Sequence, residues 1–144
     1  MNKIPLLKTV MTPFPYWVES DDPLPAAREM MRKHKVRHLP VKENGQVVSV
    51  VTDRDLKFAV DPELGLPPRA SMRVRDVCVF AAYIVDIETR LEIVLETMAE
   101  RRIGSALITK DGNLVGIVTS PDICRALARL IRGLRGEDLD PQIA

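Results

Sequence analysis

The sequence predicts an α+β fold of two β-α-β-β-α repeats packed sheet to sheet about a pseudo-twofold axis, and three observations lead to it. Residues 8–60 align with 75–127 without a gap at a constant offset of 67, so the chain is a duplication. Each copy carries a hairpin signal between β-branched runs, Glu43-Asn-Gly45 in the first and Lys110-Asp-Gly112 in the second. Each copy also has an apolar stripe at helical spacing upstream of the hairpin and a helix-opening signal downstream.

The elements follow in order. A short extended piece is expected around Val10–Met11 and again around Val77–Cys78. In the first copy Asp22 reads as an N-cap with Pro23 at the first helical position, and Leu24, Ala27, Met30 and Met31 form the stripe. In the second, Thr89 and Glu92 have the spacing of a capping box, followed by Leu91, Val94, Leu95 and Met98. The methionines read as core filler, because a flexible thioether suits irregular packing. Two strands come next, at 37–41 and 46–51 and at 106–109 and 114–118. Asn-Gly and Asp-Gly between them supply the positive φ angles of a type I′ turn. A second helix then opens at Asp53 or at Ser120, where Ser120 reads as an N-cap followed by Pro121 in the first turn. A unit of this size exposes one face of its sheet, so two copies packing together bury a core that neither has alone.

The expected division is residues 1–60 for the first repeat, 61–73 for a linker containing Pro62, Gly65, Pro67 and Pro68, 74–132 for the second repeat, and 133–144 for a frayed polar tail. With 21 basic and 20 acidic residues the net charge is +1, which gives no general pull toward nucleic acid or an anionic membrane. Pro5, Pro13 and Pro15 interrupt the start, which fits neither a signal peptide nor a membrane span. Cys78 and Cys124 have no CxxC spacing, so neither a disulfide framework nor a zinc site is indicated. Both read as small buried apolar residues in a cytoplasmic protein.

The duplication, with Val-Met-Thr-Pro at 10–13, Val-Arg-His-Leu-Pro-Val at 36–41 and Gly-Ile-Val-Thr-Ser-Pro-Asp-Ile at 116–123, resembles the CBS-domain family over about residues 8–130. Two such domains make a Bateman module, expected here to stand alone. The resemblance implies a regulatory sensor whose clefts bind AMP, ADP, ATP or S-adenosylmethionine, commonly as a homodimer acting on a separate protein, with no cofactor required. It also places an adenine slot around Thr12 and Pro13, Val36, Arg37 and His38, Val79 and Phe80, and Ile103, Gly104 and Ser105.

Local chemistry gives the remaining candidates. Thr52 and Thr119 end a strand where a helix begins, and there free N–H groups and a hydroxyl favour a phosphate. Asp55 and Asp122, three residues on, are suited to accept from vicinal ribose hydroxyls. The plainer reading is that the Thr and Asp residues only cap helices. Arg37 and Arg54 offer forked donors to phosphate, whereas the second copy has Gly104 and Pro121 there, so the two clefts are chemically unequal.

His34 and His38 read as structural, and Arg32-Lys-His-Lys35 as cations complementing a helix C-terminus. Tyr16, Trp17 and Tyr83 read as packing residues. No nucleophile-plus-base pair, metal-ligand cluster or P-loop argues for an enzyme. The alternative function is a ligand-free dimerisation or docking module. It draws on an apolar stripe of Leu127, Leu130, Ile131 and Leu134 flanked by Arg125, Arg129, Arg132 and Arg135.

Overall fold

The structure, a computed structural model, describes residues 4–59, 72–78 and 82–137. The first repeat contains β2 (Val18–Glu19), α2 (Leu24–His34), β3 (His38–Glu43), β4 (Gln46–Thr52) and α3 (Asp53–Phe58). The second contains β5 (Ile84–Asp86), α4 (Leu91–Arg101), β6 (Ser105–Lys110), β7 (Asn113–Thr119) and α5 (Ser120–Leu134). Both follow the β-α-β-β-α order, with the leading strand at Val18–Glu19 or Ile84–Asp86 and not at the pieces expected around Val10–Met11 and Val77–Cys78. The hairpins form as the dipeptides require, with Asn44 and Gly45 at φ 51° and 78° and Asp111 and Gly112 at the same two values. In each repeat a parallel strand pairs with the antiparallel hairpin, giving the order β2-β3-β4 in one sheet and β7-β6-β5 in the other.

Ahead of each repeat lies a helical turn where an extended piece was expected. Leu7–Val10 forms α1, and Val74–Asp76 forms a 3₁₀ turn. The extended piece comes later, as β1 (Thr12–Pro13), which pairs antiparallel with Ile117 and Gly116 at the edge of the second repeat's sheet. Leu7, Val10 and Met11 thus join the core of the second repeat, while Val74, Val77 and Cys78 join that of the first. This reciprocal exchange of leading segments binds the two repeats into one body. Gly116 allows the closest approach, since a Cβ built there would overlap the Met11 sulfur.

The helix stripes fill the cores as expected: Leu24, Ala27 and Met31 are buried in one, and Leu91, Val94 and Met98 in the other. The N-caps of α2, α4 and α5 each differ by one residue from the sequence reading. Pro23, not Asp22, is the N-cap of α2, and the Asp22 carboxylate instead accepts the Glu19 N–H at 2.9 Å. Arg90 caps α4 without a side-chain bond and Glu92 pairs with Arg90, so no Thr89 capping box forms. Thr119, not Ser120, precedes α5 as its N-cap.

Helix α5 runs on through Gly133 to Leu134, so the first residues assigned to the tail are helical. Most of the linker, 61–71, lies outside the described residues, but Met72 is buried in the first core and Arg73 bridges to Pro23. Cys78 is buried as expected. Cys124 is exposed, because it falls on the outer side of α5. Tyr16 is also at the surface, stacked on His34 with ring centroids 3.5 Å apart, and Trp17 lies beneath the Lys42 ammonium at 4.3 Å.

Candidate ligand site

The two candidate carboxylates occupy the same position in their repeats but have different surroundings. At the start of α3, the Thr52 N–H donates to Asp55 Oδ2 at 2.8 Å, and the Asp55 N–H donates to Thr52 Oγ1 at 3.1 Å. This reciprocal capping box uses one carboxylate oxygen. Asp55 Oδ1 receives no hydrogen bond from a described residue. Asp122, at the start of α5, is buried and uses both oxygens. Oδ2 accepts the Thr119 N–H at 2.8 Å and the Thr119 hydroxyl at 2.9 Å. Oδ1 accepts the Thr12 hydroxyl at 2.9 Å and Arg125 Nη2 at 2.7 Å. Thr12 reaches it because β1 lies along β7, so Asp122 ties the N-terminal segment to α5. Pro13 and Pro121 stand exposed beside this cluster.

The first repeat has cavities on both sides of α3. One, of about 430 Å³, is lined by Arg54, Asp55, Phe58, Ala59, Met72, Asp76 and Val77. The other, of about 630 Å³, lies between α2 and α3 and takes Asp53, Leu56 and Lys57 from the opposite side of α3, with Val36 and Arg37 at its end. The 100° step between helical residues makes these two sets face apart. The expected first-repeat residues are therefore divided: Arg54 and Asp55 face one cavity, Val36 and Arg37 the other. Val79 and Phe80 lie outside the described residues.

His38 stands where the repeats meet. Its ring lies against Gly104, where an added Cβ would be 3.1 Å from Cε1, and its Nδ1 is buried without a hydrogen-bond partner among the described residues. Burial lowers the His38 pKa below its ordinary 6.5; the nearby Asp55 carboxylate opposes this and Arg37 adds to it. Ser105, the counterpart of His38, is buried and pairs with Thr119 across β6 and β7, as His38 pairs with Thr52. Ile103 packs partly buried against the second core.

Arg125, which the sequence reading placed only beside the apolar stripe of the last helix, is a neighbour of Asp122 that it did not connect to the site. Its spacing of three from Asp122 on a helix is the available signal, because residues so spaced share a face.

Two intertwined repeats, each with a carboxylate at a strand-to-helix junction, define a paired-repeat module with a ligand-sized cavity beside one junction. The CBS domain model matches residues 7–61 and 74–129, and the chain belongs to the CBS domain family, with two domains in tandem. Inosine-5'-monophosphate dehydrogenase of Thermoplasma acidophilum is 32% identical over 108 residues, 75% of this chain. The match spans only 21% of that enzyme, so the chain corresponds to about a fifth of its length. Among solved structures, the CBS domain pair of protein MJ0100 in complex with 5'-methylthioadenosine and S-adenosyl-L-methionine superposes with a TM-score of 0.77 at 23% identity, covering 88% of this chain and 98% of that one. CBSX2 in complex with AMP gives a TM-score of 0.75 at 27% identity, with the same coverages.

Proposed function

We propose that the chain is a regulatory module that binds an adenosyl ligand beside Asp55 and passes a change of shape to a separate protein. The observation that carries this reading is the Asp55 oxygen on the wall of the 430 Å³ cavity that accepts no hydrogen bond from a described residue, with Arg54 next to it. A carboxylate oxygen without a donor suits a pair of ribose hydroxyls, and the guanidinium suits a phosphate. The volume lies within the range of roughly 300–1,000 Å³ usual for small-molecule sites. CBS pairs that bind AMP or S-adenosylmethionine support the ligand class.

Charge narrows the choice. Arg54 faces two carboxylates, Asp55 and Asp76, among the described lining residues. A monophosphate or a sulfonium therefore fits better than a triphosphate, whose added negative charges would meet Asp76. The second cleft is the poorer site, because Thr12, Thr119 and Arg125 already saturate Asp122.

A homodimer through α5 belongs to the same proposal. Leu127, Ile131 and Leu134 are 54%, 42% and 66% exposed, enough apolar area along one helix to cover against a second copy.

The test is a thermal-shift screen against AMP, ADP, ATP, S-adenosylmethionine, NAD and GTP. A ligand present at 100 times its Kd stabilises the native state by about 2.7 kcal/mol, which is on the order of 8 °C for a chain of this size. AMP or S-adenosylmethionine should give the largest rise, and Asp55→Ala should remove it while Asp122→Ala should not. No rise with any adenosyl compound refutes the proposal.

A further inference from the structure

The 630 Å³ cavity between α2 and α3 lies away from Asp55, and it is strongly basic. Arg28, Arg32, Lys35, Arg37 and Lys57 line it against only Glu29 and Asp53, a net of three positive charges in a chain whose whole net charge is +1. Both carboxylates are already paired: Glu29 with Arg32 at 2.6 Å and Asp53 with Lys57 at 2.8 Å. Arg28, Lys35 and Arg37 form no ion pair with a described residue. Beneath them the wall is apolar, with Leu24, Met31 and Leu56 buried and Val36 half-buried.

The duplication is an internal control for what the fold requires here. At an offset of 67, Arg28, Arg32, Arg37 and Lys57 become Leu95, Ala99, Gly104 and Cys124, and only Lys35 keeps a cation, Arg102. The second repeat forms the same helices and hairpin without four of the five charges. Helix packing therefore does not demand them. Clustered, unpaired cations repel one another and cost stability unless an anion offsets them. Leu95 packs partly buried against the second core, so an apolar side chain at that position is used for packing in one repeat, whereas Arg28 is exposed at the cavity of the other.

We infer that this cavity is a second ligand site, separate from the adenosyl site, for a small organic anion with an apolar body. The phosphate, carboxylate or sulfonate group would be held by Arg28, Lys35 and Arg37, and the body would cover Leu24, Met31 and Leu56. Forked guanidinium donors give such an anion directional bonds, and the apolar floor distinguishes it from inorganic ions.

The probe is 8-anilinonaphthalene-1-sulfonate, titrated by fluorescence into the full chain, with inorganic phosphate and AMP as competitors. One saturable site is expected, weakened by salt. The dye should be retained in excess AMP, because α3 separates the two cavities. Arg28→Leu installs the second repeat's own residue, and Lys35→Asn removes a charge while keeping a residue tolerant of the left-handed backbone at φ 54°. Together they should weaken the dye tenfold or more, whereas Arg102→Asn, the matched change in the second repeat, should leave it unchanged. Circular dichroism and thermal melting establish that the variants are folded. Unchanged dye affinity in the double variant, or displacement of the dye by AMP, overturns the inference. Loss of adenosyl binding alone overturns only the function proposed for the Asp55 cavity.

Discussion

Removing the two equivalent carboxylates one at a time should have unequal consequences. Asp55→Ala deletes one acceptor of the Thr52 N–H and leaves the rest of its surroundings intact. The expected cost is about 1 kcal/mol, the usual worth of a capping interaction. Asp122→Ala deletes an acceptor that serves the Thr119 N–H and hydroxyl, the Thr12 hydroxyl and Arg125. The cap again contributes about 1 kcal/mol, and the Thr12 bond to a buried carboxylate about 1.5 kcal/mol. The Arg125 pair adds only about 0.5 kcal/mol because the guanidinium is largely exposed.

The Asp122 variant should therefore lose about 3 kcal/mol, some 2 kcal/mol more than its counterpart. At roughly 3 °C per kcal/mol for a chain of this length, the melting temperatures should differ by about 6 °C. Urea unfolding followed by circular dichroism measures both costs, and Thr12→Val with Asp122→Ala in a double-mutant cycle should show a coupling of about 1 kcal/mol. Equal losses in the two single variants, or additive losses in the cycle, would refute the assignment of Asp122 as a latch between β1 and α5.

Two further outcomes concern His38 and α5. Since burial lowers the folded-state pKa of His38 below 6.5, the unfolded chain binds the proton more readily. The stability contributed by neutral His38 is complete above pH 6.5 and is lost as pH falls through the depressed value, so urea midpoints should drop below pH 6.5 in the native chain and drop less in His38→Gln. Identical pH profiles would remove His38 from this role. For α5, sedimentation should give twice the chain mass, and Ile131→Glu should return a monomer, since it puts a charge into the apolar stripe. A monomeric native chain removes the dimer proposal.

Much of the fold was legible because it is locally encoded. Asn44-Gly45 and Asp111-Gly112 carry the backbone angles of their turns, and the stripes through Met31 and Met98 point inward at the period of a helix. Helix starts were less legible, because Asp22, Pro23, Thr119 and Ser120 all suit a first turn and only tertiary packing selects among them. The pairing of Thr12–Pro13 with β7 leaves no local trace, since the partners are more than a hundred residues apart. The latch at Asp122 depends on that pairing, so the Thr12 contact could not be read from the chain. Cys124 escaped for a similar reason: hydrophobic character alone does not say which side of α5 faces out.

The duplication itself separates what serves the fold from what serves chemistry. Both repeats keep the hairpin glycine, the buried stripe and the Thr-x-x-Asp junction, Thr52 with Asp55 and Thr119 with Asp122. These features recur because two copies of one fold need them; the junctions differ in that Asp122 is engaged through both oxygens, whereas Asp55 Oδ1 accepts no hydrogen bond from a described residue. Four cations do not recur: Arg28, Arg37, Arg54 and Lys57 of the first repeat are answered by Leu95, Gly104, Pro121 and Cys124. They stand around α3, at the two cavities, while the equivalent helix in the second repeat is secured through Asp122 and continues to Leu134. A charge kept in one copy and absent from an equally folded other copy is free of the demands of packing. That argument favours the first repeat as the place of the proposed ligand chemistry, while the second holds the leading segment in place through Asp122 and carries the long helix of the proposed dimer.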